Sequence, residues 1–298
     1  MASKNNSIGW KISNLCWFII QRVLPAKVYI SLRYKLIFGR WINWNNPTTF
    51  TEKLHWLKLN YYGRNESFLV DKIKVKEYIK ETLGAEYVIP TIKEWDSASN
   101  IDFNSLPNEY VLKCNHDSGS IHFHRKDAPI NRTKAIKELN KVLKTNYYWT
   151  GRETPYRYIK PKVFAECMLK CDTMGDIRDY KFFCFNGEPK VFKIDFNRFD
   201  NHMANYFDID GNLLPFGLRG TYPSEKVGLE IPQNLSEMVA IARKIAKGLP
   251  FARVDLYNID GKIVFGEITL FPTSGFGRFT DDNWDKIMGS WLILPTKR

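Results

Sequence analysis

The stretch Phe251-Ala-Arg-Val-Asp-Leu-Tyr257, together with Ile263-Val-Phe-Gly-Glu-Ile-Thr-Leu270, decides the fold. Both segments alternate apolar and polar residues, which is the pattern of half-buried strands. Asp260-Gly261 lies between them and is a strong turn signal. We therefore predict an antiparallel hairpin with one apolar face.

The other face of this hairpin gathers polar chemistry. Strand alternation puts Arg253 and Asp255 on one face of the first strand, and Glu267 and Thr269 on one face of the second. Two neighbouring carboxylates repel unless a cation neutralises them. Arg253 would do so in a surface salt bridge, and Mg²⁺ would do so in a metal site. Spacing alone favours the salt bridge, because polar outer faces are common on hairpins.

The register of the hairpin decides whether the polar groups meet. We predict a three-residue loop over 259–261, which pairs Asn258 with Lys262 and sets Arg253 opposite Glu267. A two-residue turn would instead move Glu267 to the apolar face.

Working outward, the remaining segments predict helices and strands in an α+β arrangement, with mostly antiparallel strands late in the chain. The predicted helices cover 50–61 (with a Thr49/Glu52 capping box), 71–84, 133–143 and 236–247. The predicted strands cover 87–89, 110–113, 121–124, 163–169, 180–185 and 190–196, the last two joined by Asn186-Gly187.

Composition limits the class of protein. The 298 residues are 44% hydrophobic and 15% aromatic, which excludes a disordered chain. The net charge of +12 favours anionic partners such as nucleotides, acidic sugars, lipid headgroups or nucleic acid. The five cysteines (Cys16, Cys114, Cys167, Cys171 and Cys184) form no CxxC pair, so we predict free thiols and no zinc site.

The region 10–44 mixes basic and aromatic residues at helical spacing. Its apolar run Leu15–Ile20 is too short to cross a bilayer. We favour an amphipathic helical arm that packs on the protein's own core. The alternative is a helix that lies on an anionic membrane surface.

Five motifs in order resemble the TupA-like family of the ATP-grasp superfamily, over about Leu24 to Pro295. The motifs are Asn46-Pro-Thr-Thr-Phe-Thr-Glu-Lys53, Tyr110-Val-Leu-Lys-Cys-Asn-His116, Asp179-Tyr-Lys-Phe-Phe-Cys-Phe-Asn-Gly-Glu-Pro189, Arg253-Val-Asp-Leu-Tyr257 and Gly266-Glu-Ile-Thr269. The resemblance implies an ATP-grasp fold, in which two α+β subdomains grip ATP, with an N-terminal helical arm in addition. The implied units are an arm at 1–65, an α/β part at 66–109, a lid subdomain at 110–168 and an ATP/Mg subdomain at 169–298.

The resemblance also implies site residues. For ATP it implies Lys72, Lys113, Ser118, Gly119, Ser120, Glu166, Met168, Asp179 and Lys181. For Mg²⁺ it implies Asp255, Glu267 and Thr269, with Arg253 as the catalytic residue. For the acceptor substrate it implies Thr273, Ser274 and Gly275, together with His116 and Asp117 in the lid loop. For Asp179 and Lys181, ordinary alternation of charges on a strand explains the pattern equally well.

The implied reaction is ATP-dependent amide formation through an acyl phosphate. By analogy the partners are an amino acid and a uronic acid or amino sugar on a lipid-linked or other small-molecule glycan. Such a ligase would serve polysaccharide biosynthesis (capsule or O-antigen) in the cytoplasm, with peripheral contact at the inner face of the membrane. The sequence leaves open which partner supplies the carboxylate, and also the oligomeric state.

Three other functions compete with this one. A glycosyltransferase would use Asp208-Ile-Asp210 as a metal motif, although the following Gly211 favours a turn. A non-catalytic protein could bind anionic glycans or nucleotides, but no nucleic-acid module is recognisable. A degenerate ATP-grasp protein would bind ATP without turnover. The intact Lys113, Arg253, Asp255 and Glu267 argue against it.

Overall fold

Two antiparallel sheets form the framework of the protein. The computed structural model describes residues 20–170, 177–196, 203–221, 223–224 and 228–298. Helices and two antiparallel sheets occur in one chain, which confirms the predicted α+β class.

The first sheet has the strand order β1-β4-β2-β3. Its strands are β1 (Thr91–Trp95), β2 (Tyr110–Cys114), β3 (Ile121–His124) and β4 (Val163–Cys167). Leu112, Val163 and Ala165 are fully buried in its core, together with Leu139 from helix α5 (Arg132–Leu143). The predicted limits of the subdomains stay a prediction, although this sheet takes its edge strand β1 from the unit expected to precede it.

The second sheet has the order β7-β6-β5-β8-β9. Its strands are β5 (Arg178–Phe185), β6 (Glu188–Phe196), β7 (Met203–Asp208), β8 (Phe251–Ile259) and β9 (Lys262–Thr269). The apolar face carries Phe182, Val254 and Leu256, all fully buried, and packs against helix α7 (Leu235–Ala246). The predicted strand pair joined by Asn186-Gly187 is confirmed. Strand β7 was not predicted.

The remaining helices flank these sheets. They are α1 (Ala26–Phe38), α2 (Phe50–Asn60), α3 (Ser67–Val70), α4 (Val75–Thr82), α6 (Tyr148–Gly151) and α8 (Asn283–Trp291). The predicted capping box is confirmed, because the Thr49 side chain accepts from the Glu52 N–H while the Glu52 carboxylate accepts from the Thr49 N–H. In the part of the chain that the structure describes, no helix is long and apolar enough to span a bilayer.

Two predicted boundaries between 71 and 90 are wrong. The helix expected over 71–84 covers Val75–Thr82, because the Asp71 carboxylate accepts from the backbone of Ile73 and makes a turn first. The strand expected over 87–89 is absent, since Ala85–Tyr87 is a 3₁₀ turn. Strand β1 starts at Thr91 instead, after a proline that has no N–H to give to a sheet.

The predicted register of the last hairpin is also wrong. The loop is the two-residue turn Asp260-Gly261, with φ of 51° and 88°, so Ile259 pairs with Lys262. A β-bulge at Gly266 then inserts one extra residue into β9. This extra residue restores the alternation, and Asp255 rather than Arg253 lies directly opposite Glu267.

The N-terminal arm packs on the protein with one face of α1. Tyr29, Ile30 and Tyr34 are fully buried there and form a cluster with Phe276. This agrees with the favoured prediction for the arm. The apolar run Leu15–Ile20, except for Ile20, lies outside the described residues, as do Cys16 and Cys171; Cys114, Cys167 and Cys184 are free thiols.

Candidate active site

A cavity of about 470 Å³ opens between the two sheets. Its charged lining consists of six cationic and six anionic side chains. The cations are Lys72, Lys76, Lys113, Lys181, Lys193 and Arg253, and the anions are Asp117, Glu166, Asp179, Asp195, Asp255 and Glu267. Most of the residues predicted from the sequence to bind ATP or metal therefore lie in one place.

A transverse row of charges crosses the second sheet at the floor of this cavity. Glu267 on β9 lies opposite Asp255 on β8, which lies opposite Lys181 on β5, which lies opposite Lys193 on β6. Two anions thus stand beside two cations on four adjacent strands. The four side chains form a row because they point to the same face of the sheet. On β9 the bulge at Gly266 is needed to put Glu267 on that face.

Arg253 is the hub of the anionic half. Its guanidinium donates to both oxygens of Asp255, at 2.7 and 2.6 Å, and to Glu267 at 3.2 Å. Burial works against the charge, but these two carboxylates raise the pKa of Arg253. Although burial also opposes the charge of Glu267, Lys72 and Arg253 hold the pKa of this carboxyl below its ordinary value. Arg253 and Glu267 are therefore both charged at neutral pH, whereas burial raises the pKa of Asp255.

Lys181 connects the anionic half to the rest of the row. Its ammonium donates to Asp255 at 2.8 Å and to Asp179, and Asp195 lies 3.9 Å away. Lys193 in turn contacts Asp195 at 2.8 Å. Burial opposes the charge of Lys181, yet Asp255 and Asp179 raise its pKa. Lys193 and Asp195 were not predicted as site residues, although their alternation in Lys193-Ile-Asp195 matches Asp179-Tyr-Lys181 on the adjacent strand.

The opposite wall carries a second charge cluster. The Glu166 carboxylate on β4 accepts from Lys76 on α4 at 3.0 Å and from Lys113 on β2. Burial would raise the pKa of Glu166, but the two ammonium groups hold it below its ordinary value. Lys76 was also missed. Its signal was the spacing of four residues from Lys72 within the helix predicted over 71–84, which would put both lysines on one face of that helix.

The loop after β2 closes over this wall. Asn115 anchors its start, because the side-chain oxygen accepts from the Lys162 N–H at 2.8 Å. The Asp117 carboxylate accepts from the Ser120 hydroxyl at 2.6 Å and from the Ser120 N–H at 3.1 Å, and Gly119 has φ of 109°. Lys72 donates to the Asp117 carbonyl. Asp117 thus shapes the loop from inside, and Ser118, Gly119 and Ser120 line the cavity.

The donor set fits magnesium that arrives with phosphate. Asp255 and Glu267 offer carboxylate oxygens, which Mg²⁺ prefers. Within the described ranges, no group of three or more His, Cys, Asp or Glu side chains is arranged to hold a metal alone. The remaining ligands would have to be phosphate oxygens and water, which is usual for Mg²⁺.

Three predicted site residues lie away from the cavity lining. Thr269 faces its own strand neighbour Glu267 at 3.4 Å, and Met168 follows β4 outside the lining. His116 is buried, and its imidazole lies 3.2 and 3.3 Å from the carbonyls of Thr145 and Val142. Burial lowers the pKa of His116. This histidine ties the loop to the end of α5 instead of facing the cavity.

The predicted acceptor turn also lies apart from the main cavity. Thr273 and Gly275 line a small void of about 20 Å³, and the Ser274 hydroxyl donates to Glu153 at 2.6 Å. Thr273 and Ser274 both have positive φ, near 50°. Such strained backbone needs support from its surroundings. The buried Lys58 ammonium supplies it by donating to the Ser274 carbonyl at 2.8 Å.

The Asp208-Ile-Asp210 motif forms a turn. The Asp208 carboxylate accepts from the backbone of Asp210 at 3.0 Å and of Asn212 at 2.8 Å. Both aspartates are absent from the lining of the main cavity. The turn interpretation therefore accounts for the motif that a glycosyltransferase would have used.

The sequence matches the model of a known protein family. A family model described as TupA-like ATPgrasp matches residues 52–293. No curated protein matches the chain significantly.

Several solved structures are similar at low identity. D-alanine–D-alanine ligase from Bacillus anthracis complexed with ATP is 16% identical, with 68% of this chain and 54% of that chain covered and a TM-score of 0.39. D-alanine–D-alanine ligase from Helicobacter pylori is 12% identical, with 78% and 60% covered and a TM-score of 0.43. The ATP-grasp ligase PsnB with precursor peptide PsnA2 and AMPPNP is 10% identical, with 81% and 64% covered and a TM-score of 0.40.

The chain thus spans just over half the length of the first of these ligases. The family match is of a different kind, because it covers most of the chain and includes both walls of the cavity. It confirms the resemblance carried by the five motifs, and the chain belongs to the TupA-like ATP-grasp family.

Proposed function

We propose that the protein is an ATP- and magnesium-dependent ligase that joins a carboxylate to an amine through an acyl phosphate. The observation that carries the proposal is the juxtaposition of Asp255 and Glu267 beside Arg253, in a cavity whose opposite wall bears Lys76 and Lys113. Paired carboxylates, an arginine and facing lysines suit a metal-bound polyphosphate.

In the first step, an oxygen of the substrate carboxylate attacks the γ-phosphorus of ATP. The bond from this phosphorus to its bridging oxygen breaks, and ADP leaves. Arg253 is held rigidly by Asp255 and stabilises charge on the transferring phosphoryl group. Magnesium held by Asp255 and Glu267 would shield the phosphate oxygens.

In the second step, the amine attacks the acyl carbon. The bond between this carbon and the phosphate oxygen breaks, phosphate leaves, and the nitrogen loses a proton. Because an acyl phosphate hydrolyses readily, water must be excluded. The 115–120 loop, which Asn115 anchors and Asp117 shapes, borders the cavity, and we propose it as the lid over the phosphates.

Lys76 and Lys113 are the lysines that we assign to the phosphates. Both ammonium groups already converge on Glu166, so a phosphate oxygen entering between them meets two oriented donors. Lys72 lines the cavity as well, but it donates to the loop backbone at Asp117 and so also orders the lid.

The identity of the substrates rests on the family resemblance. We propose an amino acid and a uronic acid or amino sugar of a cell-surface polysaccharide, joined in the cytoplasm. The basic surface, at net +12, is compatible with an anionic glycan.

The test is thermal unfolding with a non-hydrolysable ATP analogue, with and without magnesium. At about a hundredfold excess of ligand over its dissociation constant, binding stabilises the folded state by about 2.7 kcal/mol. The stabilisation should require magnesium, and Glu267→Gln should remove most of it. Glu237→Gln is the matched control, because Glu237 is exposed on α7, away from the cavity lining.

Chemistry needs a separate readout. In the presence of ATP and magnesium, adding the correct carboxylate substrate should make the enzyme release ADP. Added hydroxylamine should trap the acyl phosphate as a hydroxamate. Stabilisation that is independent of magnesium, or equal in Glu267→Gln and the wild type, would contradict the proposed site. Nucleotide binding without hydroxamate from any acid would instead favour the degenerate, non-catalytic alternative.

A further inference from the structure

A row of large apolar side chains points away from the protein along its N-terminal segment. Val23 is 73% exposed, Leu36 is 74% exposed and Trp41 is 58% exposed. Val28 and Leu32 are exposed as well, at 45% and 39%. We name these five residues the outer face. Exposed apolar residues gathered in one place on a protein surface commonly mark an interaction site.

The outer face is held in a fixed orientation. Val28, Leu32 and Leu36 are spaced by four residues on α1, so they lie along one side of the helix. The other side is buried through Tyr29 and Tyr34. Helix α1 therefore cannot turn its exposed row inward without breaking its own packing.

Arginine fixes the buried side further. The Arg33 guanidinium lies 4.3 Å from the centre of the Phe276 ring and donates to the Thr150 carbonyl at 2.7 Å. Arg33 therefore contributes to the packing of α1, and the cations at the rim of the outer face are other residues.

The stretch of sequence that carries the outer face is basic. Residues 1–51 contain seven Lys or Arg and no Asp or Glu, and the first acidic residue is Glu52. Arg22, Lys27 and Lys35 in this stretch are exposed, and so is Arg40, although Arg40 also pairs with the buried Glu52 and lies 3.8 Å from Asp285. An apolar row rimmed by cations, with a tryptophan at one end, matches a helix that rests at the level of lipid headgroups.

We propose that the outer face docks on an anionic lipid bilayer, with its apolar side chains in the headgroup boundary and its cations on the lipid phosphates. Charge complementarity selects this partner, since each basic residue near an anionic membrane surface strengthens binding about fivefold. The proposal is independent of the ligase chemistry and needs no nucleotide.

Helix α1 also connects the outer face to the turn at 272–275, which lies apart from the main cavity. Phe276, on which α1 packs, directly follows the strained turn at 272–275. A docked α1 would therefore hold this turn close to the membrane surface.

Co-sedimentation of the full chain with vesicles tests the proposal. Two vesicle types are used without nucleotide: phosphatidylcholine alone, and phosphatidylcholine with about 30% phosphatidylglycerol. We expect strong sedimentation with the anionic vesicles only. Leu36→Ser should weaken it roughly tenfold, because an apolar side chain that enters the boundary is lost. Joint replacement Lys27→Gln and Lys35→Gln should weaken it about twentyfold or more.

Ile293→Ser is the matched control, since Ile293 is 71% exposed but lies near the C-terminal end of the chain. It should bind like the wild type, and all variants should keep the wild-type melting temperature because the replaced side chains are exposed. Equal sedimentation with neutral and anionic vesicles would overturn the proposal, as would undiminished binding by Leu36→Ser. A wild-type dimer that Leu36→Ser dissociates, without vesicle binding, would overturn it in favour of self-association.

Discussion

Acidification is expected to destabilise the protein through His55, whose side chain is fully buried on α2. Its imidazole packs against the Phe276 ring, with ring centres 4.4 Å apart, and its Nδ1 lies 3.4 Å from the Lys58 ammonium. Burial, reinforced by the positive charges of Lys58 and Arg33, holds the pKa of His55 well below its ordinary value of 6.5. The folded protein therefore keeps this imidazole neutral.

The sign of the effect follows from proton uptake. Below about pH 6.5 the unfolded chain binds a proton at His55 and the folded chain does not, so the free energy of unfolding falls as the pH falls. Between about pH 7.5 and about pH 5.5 the loss from this residue is RT ln 10, or about 1.4 kcal/mol. Stability lost in this window returns when the pH is raised again.

The assay is urea unfolding of the wild type and His55→Gln at both pH values. Glutamine does not titrate, so the variant should lose about 1.4 kcal/mol less than the wild type on acidification. The comparison is between two changes with pH, so any constant cost of the substitution cancels. His122→Gln is a second variant for comparison. His122 is only partly buried and burial lowers its pKa less than that of His55, so we expect a smaller difference in stability loss between this variant and the wild type.

An acid-induced loss that is the same in His55→Gln and the wild type, within about 0.3 kcal/mol, would refute this reasoning. It would mean that the folded protein protonates His55 as easily as the unfolded chain does. The imidazole would then have access to water or to an acceptor, contrary to its packing against Phe276.

Two glycines give further predictions. Gly275→Ala should cost about 1–3 kcal/mol in denaturant unfolding, because Gly275 has φ of 72° and a methyl group there would lie 3.1 Å from the His55 ring. Gly266→Ala should cost a similar amount, since its methyl group would lie 3.0 Å from the Asp255 carbonyl. It should also reduce magnesium-dependent stabilisation by the ATP analogue, because the bulge sets the face of Glu267; normal nucleotide stabilisation in this variant would contradict that role.

The hairpin illustrates how far the sequence can be read. Alternation alone predicted both strands and their polar faces, because period-two burial is a local property. The predicted loop length is wrong because a two-residue turn, without a bulge, would put Asp255 and Glu267 on opposite faces of the hairpin. A bulge reconciles the two, and an interior glycine such as Gly266 is its usual mark. The choice between these registers depends on contacts between neighbouring strands, and the sequence of a single strand does not reveal those contacts.

Three site residues could not be predicted from the sequence for a similar reason. Lys76, Lys193 and Asp195 look like ordinary charges on a helix and a strand, and their meaning appears only when two sheets face each other. His116 shows the opposite error. It stood in a predicted lid loop, but the fold turns it toward the last carbonyls of α5, where a helix end needs a donor.

The main cavity carries balanced charges, so attraction of an anionic ligand from solution and its retention in the cavity depend on different parts of the protein. Its six cations and six anions cancel, so the net charge of +12 belongs to other parts of the surface. Long-range attraction of anions is then a property of the exterior, and it weakens as salt screens it. The interior discriminates differently: a bare triphosphate would disturb its neutrality, whereas one already accompanied by cations would not. Screening should thus affect how often nucleotides arrive more than which ionic form is retained.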